Sequence, residues 1–534
     1  MNNKFAGLAG IAGVLLAPAL LHAATAVQDW PSYNKTLTSE RFGLVDAIDS
    51  RSVAGLKVRC TFDVGGPSAF ETGLIEVDGM LFATTEHDTI AIDANDCKQI
   101  WRAHGDFPSG VGNANRGVAF LDGSVYRGTP DGRVISYSAK SGKAGWSTAI
   151  ADPAKGESVP AAPIAWQGLV FAGNAGGDSK GVKGRMYALD AATGRIVWEQ
   201  YLVPKEASDA ARGPQAPAPA PLKAERWHNA KGIPVSGGTT WTSYSLDPTT
   251  GLLYVPVSNA APAFAPSVRP GENLFANSIV VLDAKTGAYR GHFQLVKNDS
   301  HQWDVSSAPV LFRSRKAHHM LAEAPKDGYL YLIDLESGST IFRKPVTTVQ
   351  NAEAPITAQG TRFCPGTGGG AEWNGAGVDP GNNLLFTGEV DWCTTVRAAP
   401  IAALAQTAAG KLWTGAIDPF GKQDDPKRWG GWLTATDIVT GERKWRFHTP
   451  FPIVGGVTAT IGRLLLFGDL GGNFYAFDPL AGKKLRSMAL GGAIGGGVIT
   501  YDSGQGQRIA VAVGMTSDAW PVPKTNAKVV VLGL

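Results

Sequence analysis

A pattern that returns seven times along the chain limits what the chain can fold into. The pattern is apolar-Asp-x-x-x-Gly-x-x-x-Trp, and it is clearest in ALDAATGRIVW (188–198) and ATDIVTGERKW (435–445). AIDANDCKQIW (91–101), SYSAKSGKAGW (136–146) and LIDLESGSTIF (332–342) keep the eight-residue step from Asp, or its substitute, to the aromatic. VLDAKTGAYRG (281–291) and AFDPLAGKKLR (476–486) keep the turn and lose the aromatic. The Asp slots fall at 93, 138, 190, 283, 334, 437 and 478, in steps of 45, 52, 93, 51, 103 and 41 residues. Each copy predicts a strand, an Asp…Gly turn and a second strand whose aromatic docks on a neighbour. A lone four-stranded sheet cannot bury both faces, whereas radial repetition buries them and leaves only short edges. The expectation is an all-β propeller of seven to nine blades. The two long steps hold extra loops, and such loops on one face are where a repeat fold keeps its site.

Composition agrees with a turn-rich β protein. Glycine (67) and proline (33) make up 100 of 534 residues, while hydrophobic residues are an ordinary 44% and charged residues only 18%. A disordered chain would be poorer in hydrophobics and would have nothing to bury its 15 tryptophans. The net charge of +3, without a Lys/Arg cluster, excludes a phosphate-tracking surface and so a nucleic-acid partner.

Residues 1–26 read as a secretory signal: Lys4 is the positive n-region, 5–21 the apolar h-region, and Ala24-Thr25-Ala26 the cleavage site. The mature chain, 27–534, is expected to be a single propeller domain, periplasmic, with no later segment apolar enough to span a membrane. Four cysteines, Cys60, Cys97, Cys364 and Cys393, allow three disulfide connectivities in an oxidising compartment. Proximity favours Cys60–Cys97 and Cys364–Cys393. No C-x-x-C-H occurs, so this sequence carries no c-type haem site.

The repeat resembles the tryptophan-docking motif of the pyrroloquinoline quinone (PQQ) alcohol dehydrogenases. The resemblance implies eight blades, the last closed by the two chain ends, and it extends to the order of motifs between repeats. GNAGGDSKGVKGR carries Asp178, VPVSNAAPAF carries Asn259 and HQWDVSS carries Asp304. Two carboxylates and an amide oxygen suit a hard cation such as calcium. Any one of them alone would read as a turn-capping residue. Found together in family order, the first two match metal ligands, and Asp304 matches the catalytic aspartate and a third ligand. The family usually has Glu at the position of Asp178. Lanthanide-using relatives carry an aspartate two residues after the catalytic one; here that residue is Ser306, so calcium is implied.

Trp241, in GGTTWTSYSLDP, resembles the floor under the planar cofactor, and an indole offers a wide surface for a flat tricyclic quinone. Arg116, in NANRGVAF, resembles the partner of a PQQ carboxylate, and Lys326, in PKDGYLYLID, the basic residue beside the quinone oxygens. Glu71, Glu372 and Trp520 resemble further cofactor contacts, Glu372 standing where relatives often have Asn. A disulfide at the Cys364–Cys393 spacing is also found in the family. One departure stands out: many relatives have adjacent cysteines roofing the cofactor where this chain has Gly110 and Val111.

The resemblance implies PQQ- and calcium-dependent oxidation of a small-molecule or polymeric alcohol to aldehyde or ketone. Electrons would pass to a separate soluble cytochrome c. The rival reading is a non-catalytic propeller scaffold or binding module of the cell envelope, which has no reason to keep Asn259, Asp304, Trp241, Arg116 and Lys326 together.

Overall fold

A computed structural model describes residues 29–107, 114–219, 226–314 and 318–534. The signal segment 1–26 and the Gly110-Val111 departure lie outside the described residues. Among the described residues, eight antiparallel meanders follow one another along the chain. The first consists of Ile75–Val77, Met80–Thr84, Asp88–Asp93 and Gln99–His104, paired in chain order. The second to seventh span 118–149, 164–201, 245–294, 310–345, 377–449 and 458–489. The eighth joins the two ends of the chain: Lys57–Asp63 pairs antiparallel with Lys528–Gly533, outside Gln507–Val513 and Val498–Asp502. The seventh also takes a fifth strand, Phe42–Gly43, in parallel. A three-stranded sheet of Thr361–Phe363, Thr394–Val396 and Lys422–Gln423 lies outside this series.

Burial falls from the second and third strands outward. Leu464–Gly468 is buried at every position, so it reads as an unbroken apolar run, whereas the outer strand Lys57–Asp63 is mostly exposed. Eight core clusters each draw on two successive sheets. Phe82 and Trp101 of the first sheet pack with Val125 and Tyr137 of the second. Leu466 and Phe474 of the seventh meet Ile509 and Val530 of the eighth, and Ile499 and Val529 of the eighth return to Leu81 and Ile90 of the first. The sheets therefore form a closed ring.

The repeat explains how neighbours register. Asp190 caps its own turn, its Oδ1 accepting from the backbone N–H of Ala192 and Thr193. A bulge then sets Trp198 opposite Ala188 and Ile196 opposite Leu189, turning the indole toward the next sheet. Its Nε1 donates to the carbonyl of Ala284 at 3.0 Å, just after the next repeat's Asp283. Trp101, Trp146 and Trp445 do the same to Ala139, Ala191 and Pro479 at 2.7, 2.9 and 2.8 Å. The repeat glycine lies under the ring: a Cβ on Gly194 would sit 2.5 Å from Trp146, and one on Gly287 2.7 Å from Trp198. Both glycines also have positive φ, 72° and 70°.

The seam between the eighth and first sheets uses a different device. Cys60 lies opposite Val531 after a bulge, the register position that tryptophan holds elsewhere. Cys97 occupies the glycine slot four residues after Asp93, with φ 61°. The Cys60–Cys97 disulfide thus replaces the indole-on-glycine contact where the ring closes, and Cys364–Cys393 also forms. Both pairs are those that proximity favours. Among the described residues, the long steps of 93 and 103 residues hold loops and the small sheet rather than further four-stranded meanders.

Two outcomes follow from this packing. Trp198→Ala removes a buried indole and its hydrogen bond, so unfolding free energy falls by about 3–5 kcal/mol, read from the denaturant midpoint. An unchanged midpoint would remove the docking contact from the account. Glu323 is buried, its Oε1 accepting from Ser307 Oγ at 2.7 Å, and burial pushes its carboxyl up to about 8. The folded chain keeps that proton where the unfolded chain has lost it, so Glu323 weakens the fold progressively as pH rises from near 4.5 to 8. Glu323→Gln is expected to raise the melting temperature at pH 8 and to leave it unchanged at pH 4; equal shifts at both would contradict this.

Candidate active site

In each meander, the approach to the first strand and the loop between the second and third lie at one end of the sheet. The Asp…Gly turns lie at the other. The residues singled out in the sequence all fall at the first end. Glu71, Arg116, Trp241, Asp304 and Glu372 precede first strands. Asp178, Asn259, Lys326 and Trp520 lie between second and third strands. All nine line one cavity of about 560 Å³. Their chain positions run from 71 to 520, so ring closure is what brings them together.

The loop that carries Asp178 is glycine-rich because backbones approach closely there. A Cβ on Gly176 would meet the carbonyl oxygen of Gly156 at 2.1 Å, and one on Gly184 that of Gly238 at 1.6 Å. Asp178 Oδ2 accepts from Gln302 Nε2 at 2.9 Å, while Oδ1 is buried with no hydrogen-bond partner among the described residues. Burial, followed by the charge of Asp304, pushes the Asp178 carboxyl up to about 7. Asp304 Oδ1 accepts from the backbone N–H of Asn259 at 2.9 Å, which ties the fourth sheet to the approach to the fifth. The orphaned carboxylate oxygen, the second carboxylate and the amide form an all-oxygen donor set, and it fits a hard divalent cation.

The basic side opposes these acids. Lys326 Nζ lies 3.4 Å from Asp304 Oδ2 and 3.4 Å from Glu372 Oε1. Burial works against its charge, but Glu372, Asp304 and Asp178 outweigh burial and raise its pKa. Burial pushes Glu372 up to about 7 against the pull of Lys326. Arg116 pairs with Glu71 through Nη2, and its Nη1 donates to the Trp241 carbonyl at 3.1 Å. Its guanidinium lies 4.7 Å from the centre of Trp241 and 4.9 Å from that of Trp373, and Lys326 Nζ is 5.0 Å from the Trp241 ring. An indole flanked by two cations and backed by acids suits a flat polyanion that also shares a metal.

Sequence reading missed part of the lining. Gln302 and Trp373 are next to motif residues, and that adjacency was the available signal. Trp392, Leu412 and Phe420 come from the long step before Asp437 and carry no motif. Ser306 is buried and donates to the Ala371 carbonyl at 2.9 Å; it does not line the cavity.

Comparison with known proteins settles the family. Residues 30–353 match the PQQ family described as glucose/ethanol/alcohol dehydrogenase, beta-propeller domain. The chain belongs to the PQQ-dependent alcohol dehydrogenases. It is 30% identical to the dehydrogenase subunit of a quinone alcohol dehydrogenase from Gluconacetobacter polyoxogenes, over 93% of this chain and 73% of that one. It is 28% identical to the quinohemoprotein alcohol dehydrogenase ADH IIB of Pseudomonas putida, over 91% and 73%. Among solved structures, a europium-containing methanol dehydrogenase matches with a TM-score of 0.83 at 24% identity, covering 96% of this chain and 99% of that one. Quinohemoprotein alcohol dehydrogenase from Comamonas testosteroni gives 0.83 at 23%, covering 97% and 82%. These two share the propeller fold. Membership makes the chain an alcohol-oxidising quinoprotein, and the PQQ propeller is the ring described above.

Proposed function

We propose that this chain is a periplasmic, calcium-dependent alcohol dehydrogenase that passes its electrons to a separate cytochrome c. The observation that carries the reading is the convergence of nine motif residues on one cavity, acids on one side and cations over an indole on the other. Asp178, Asn259 and Asp304 would hold the calcium ion. Trp241 would support the planar cofactor. Arg116, Glu71, Lys326, Glu372 and Trp520 would fix its carboxylates and carbonyls. Eight blades in one domain over 27–534 would set that geometry.

When bound, the quinone supplies the two-electron acceptor for the alcohol carbon, and calcium supplies Lewis acidity. The protein's own part is positional and acid–base. Asp304 accepts the alcohol proton as general base, its carboxylate oriented by the Asn259 N–H. Lys326 is ion-paired with that carboxylate and presents a cation where negative charge develops. Arg116, clamped between two indoles, gives a rigid fork for a carboxylate. The A-x-A signal with two disulfides supports an oxidising compartment.

The test is dye-linked alcohol oxidation by the mature protein loaded with PQQ and excess calcium. Asp304→Asn is expected to lower kcat by about 10²–10⁴-fold. Normal turnover in that variant would overturn the assignment of the base.

A further inference from the structure

The long step that precedes Asp437 builds a wall of the cavity that has no role yet. Residues 392–429 leave the sixth sheet after Leu384–Asp391 and return at Gly430–Asp437. They carry a short helix, Ile401–Gln406, and two strands of the small sheet, and the Cys364–Cys393 disulfide anchors their start. This segment docks on the Asp178 loop. Lys180 N–H donates to the Lys411 carbonyl at 2.9 Å, and Trp413 N–H to the Asp178 carbonyl at 2.6 Å. Lys180 Nζ caps the helix C-terminus, donating to the carbonyls of Leu404, Ala405 and Thr407 at 3.1, 2.9 and 2.8 Å.

That docking fixes two apolar side chains at the cavity. Leu412 pairs through its backbone with Ser179, the neighbour of Asp178. Phe420 has its carbonyl held by Thr367 Oγ1 at 2.8 Å. It is followed by Gly421 at φ 69°, where a Cβ would lie 2.6 Å from Thr394 and Val396. Both side chains remain 44% exposed although they line the cavity. Their backbones are held by these hydrogen bonds, and the charged side chains that line the cavity come from other loops. Such a surface gains by covering hydrocarbon.

We propose that Leu412 and Phe420 are specificity-determining residues that receive the apolar substituent of the alcohol. The inference rests on the alcohol-oxidising reading above, and it names the substrate class as alcohols with a sizeable hydrocarbon group. A small alcohol then depends on the acids alone, whereas a longer chain gains from covering this part of the same cavity lining. Because the wall is paired to the Asp178 loop, it is held in register with the metal ligands.

The experiment compares kcat/KM for 1-octanol and ethanol in the PQQ- and calcium-loaded enzyme, with calorimetric binding of 1-octanol to the same sample. Leu412→Ala and Phe420→Ala are expected to lower the octanol-to-ethanol ratio of kcat/KM at least about tenfold, mainly through KM, and to weaken octanol binding in parallel. Their exposure means the fold should persist, which a melting curve verifies. An unchanged ratio, or equal losses for both alcohols, would overturn the proposal, since the side chains would then serve nothing or serve the cofactor. Octanol binding that survives both substitutions would overturn it as well. If wild-type enzyme oxidises neither alcohol, the broader alcohol reading fails, and the binding measurement alone decides whether the wall takes hydrocarbon.

Discussion

The contact on which the rest of the structure depends is an indole from one sheet lying on a glycine of the next. It is small, but it recurs: Trp101, Trp146, Trp198 and Trp445 each donate to the carbonyl after the next repeat's Asp slot. The contact needs all of its parts. Without the bulge the ring would point along its own sheet, and with a side chain in place of glycine the ring could not close on the turn. Where the ring of sheets meets itself, the same two register positions hold Cys60 and Cys97, and a covalent bond does the work of the indole. In the chain-entropy view, closing that 37-residue segment stabilises the fold by about 4 kcal/mol.

Ring closure has a chemical consequence. Nine side chains from nine separate loops, belonging to seven of the eight sheets, meet in one cavity, although none is adjacent in sequence to another. The acids there are held under tension. Asp178 has a buried oxygen without a hydrogen-bond partner among the described residues, and Asp178 and Glu372 are both pushed toward neutrality by burial. Lys326 between Asp304 and Glu372, and Arg116 beside Glu71, offset part of that cost. A site with an unpaired buried carboxylate oxygen among the described residues on one side, and two ion-paired cations over an indole on the other, suits a cation and an anionic planar group together.

Much of this was legible in the sequence, for physical reasons that can be named. Asp…Gly turns and docking tryptophans are local, so seven sheets announced themselves. The eighth carries no copy because its outer strand, Lys57–Asp63, comes from the other end of the chain. Asp304, Asn259 and Trp241 were legible because short loops with fixed chemistry surround them. Leu412, Phe420 and Trp392 were not. Their segment lies in a step of 103 residues, and only its docking against Lys180 and the Asp178 carbonyl places it at the cavity. Trp373 was hidden for a different reason: an indole beside a candidate glutamate looks like core until Arg116 is found against its face.

The central claim is that this cavity binds PQQ with the help of calcium, and the most direct measurement is a titration of PQQ into the cofactor-free protein, followed by tryptophan fluorescence, with calcium and with a chelator. The account predicts saturable one-to-one quenching in calcium that weakens at least tenfold in the chelator. Trp241 under the ligand would be the chief source of the signal. Absence of binding in both conditions would contradict the account, leaving a closed ring whose charged cavity has some other use.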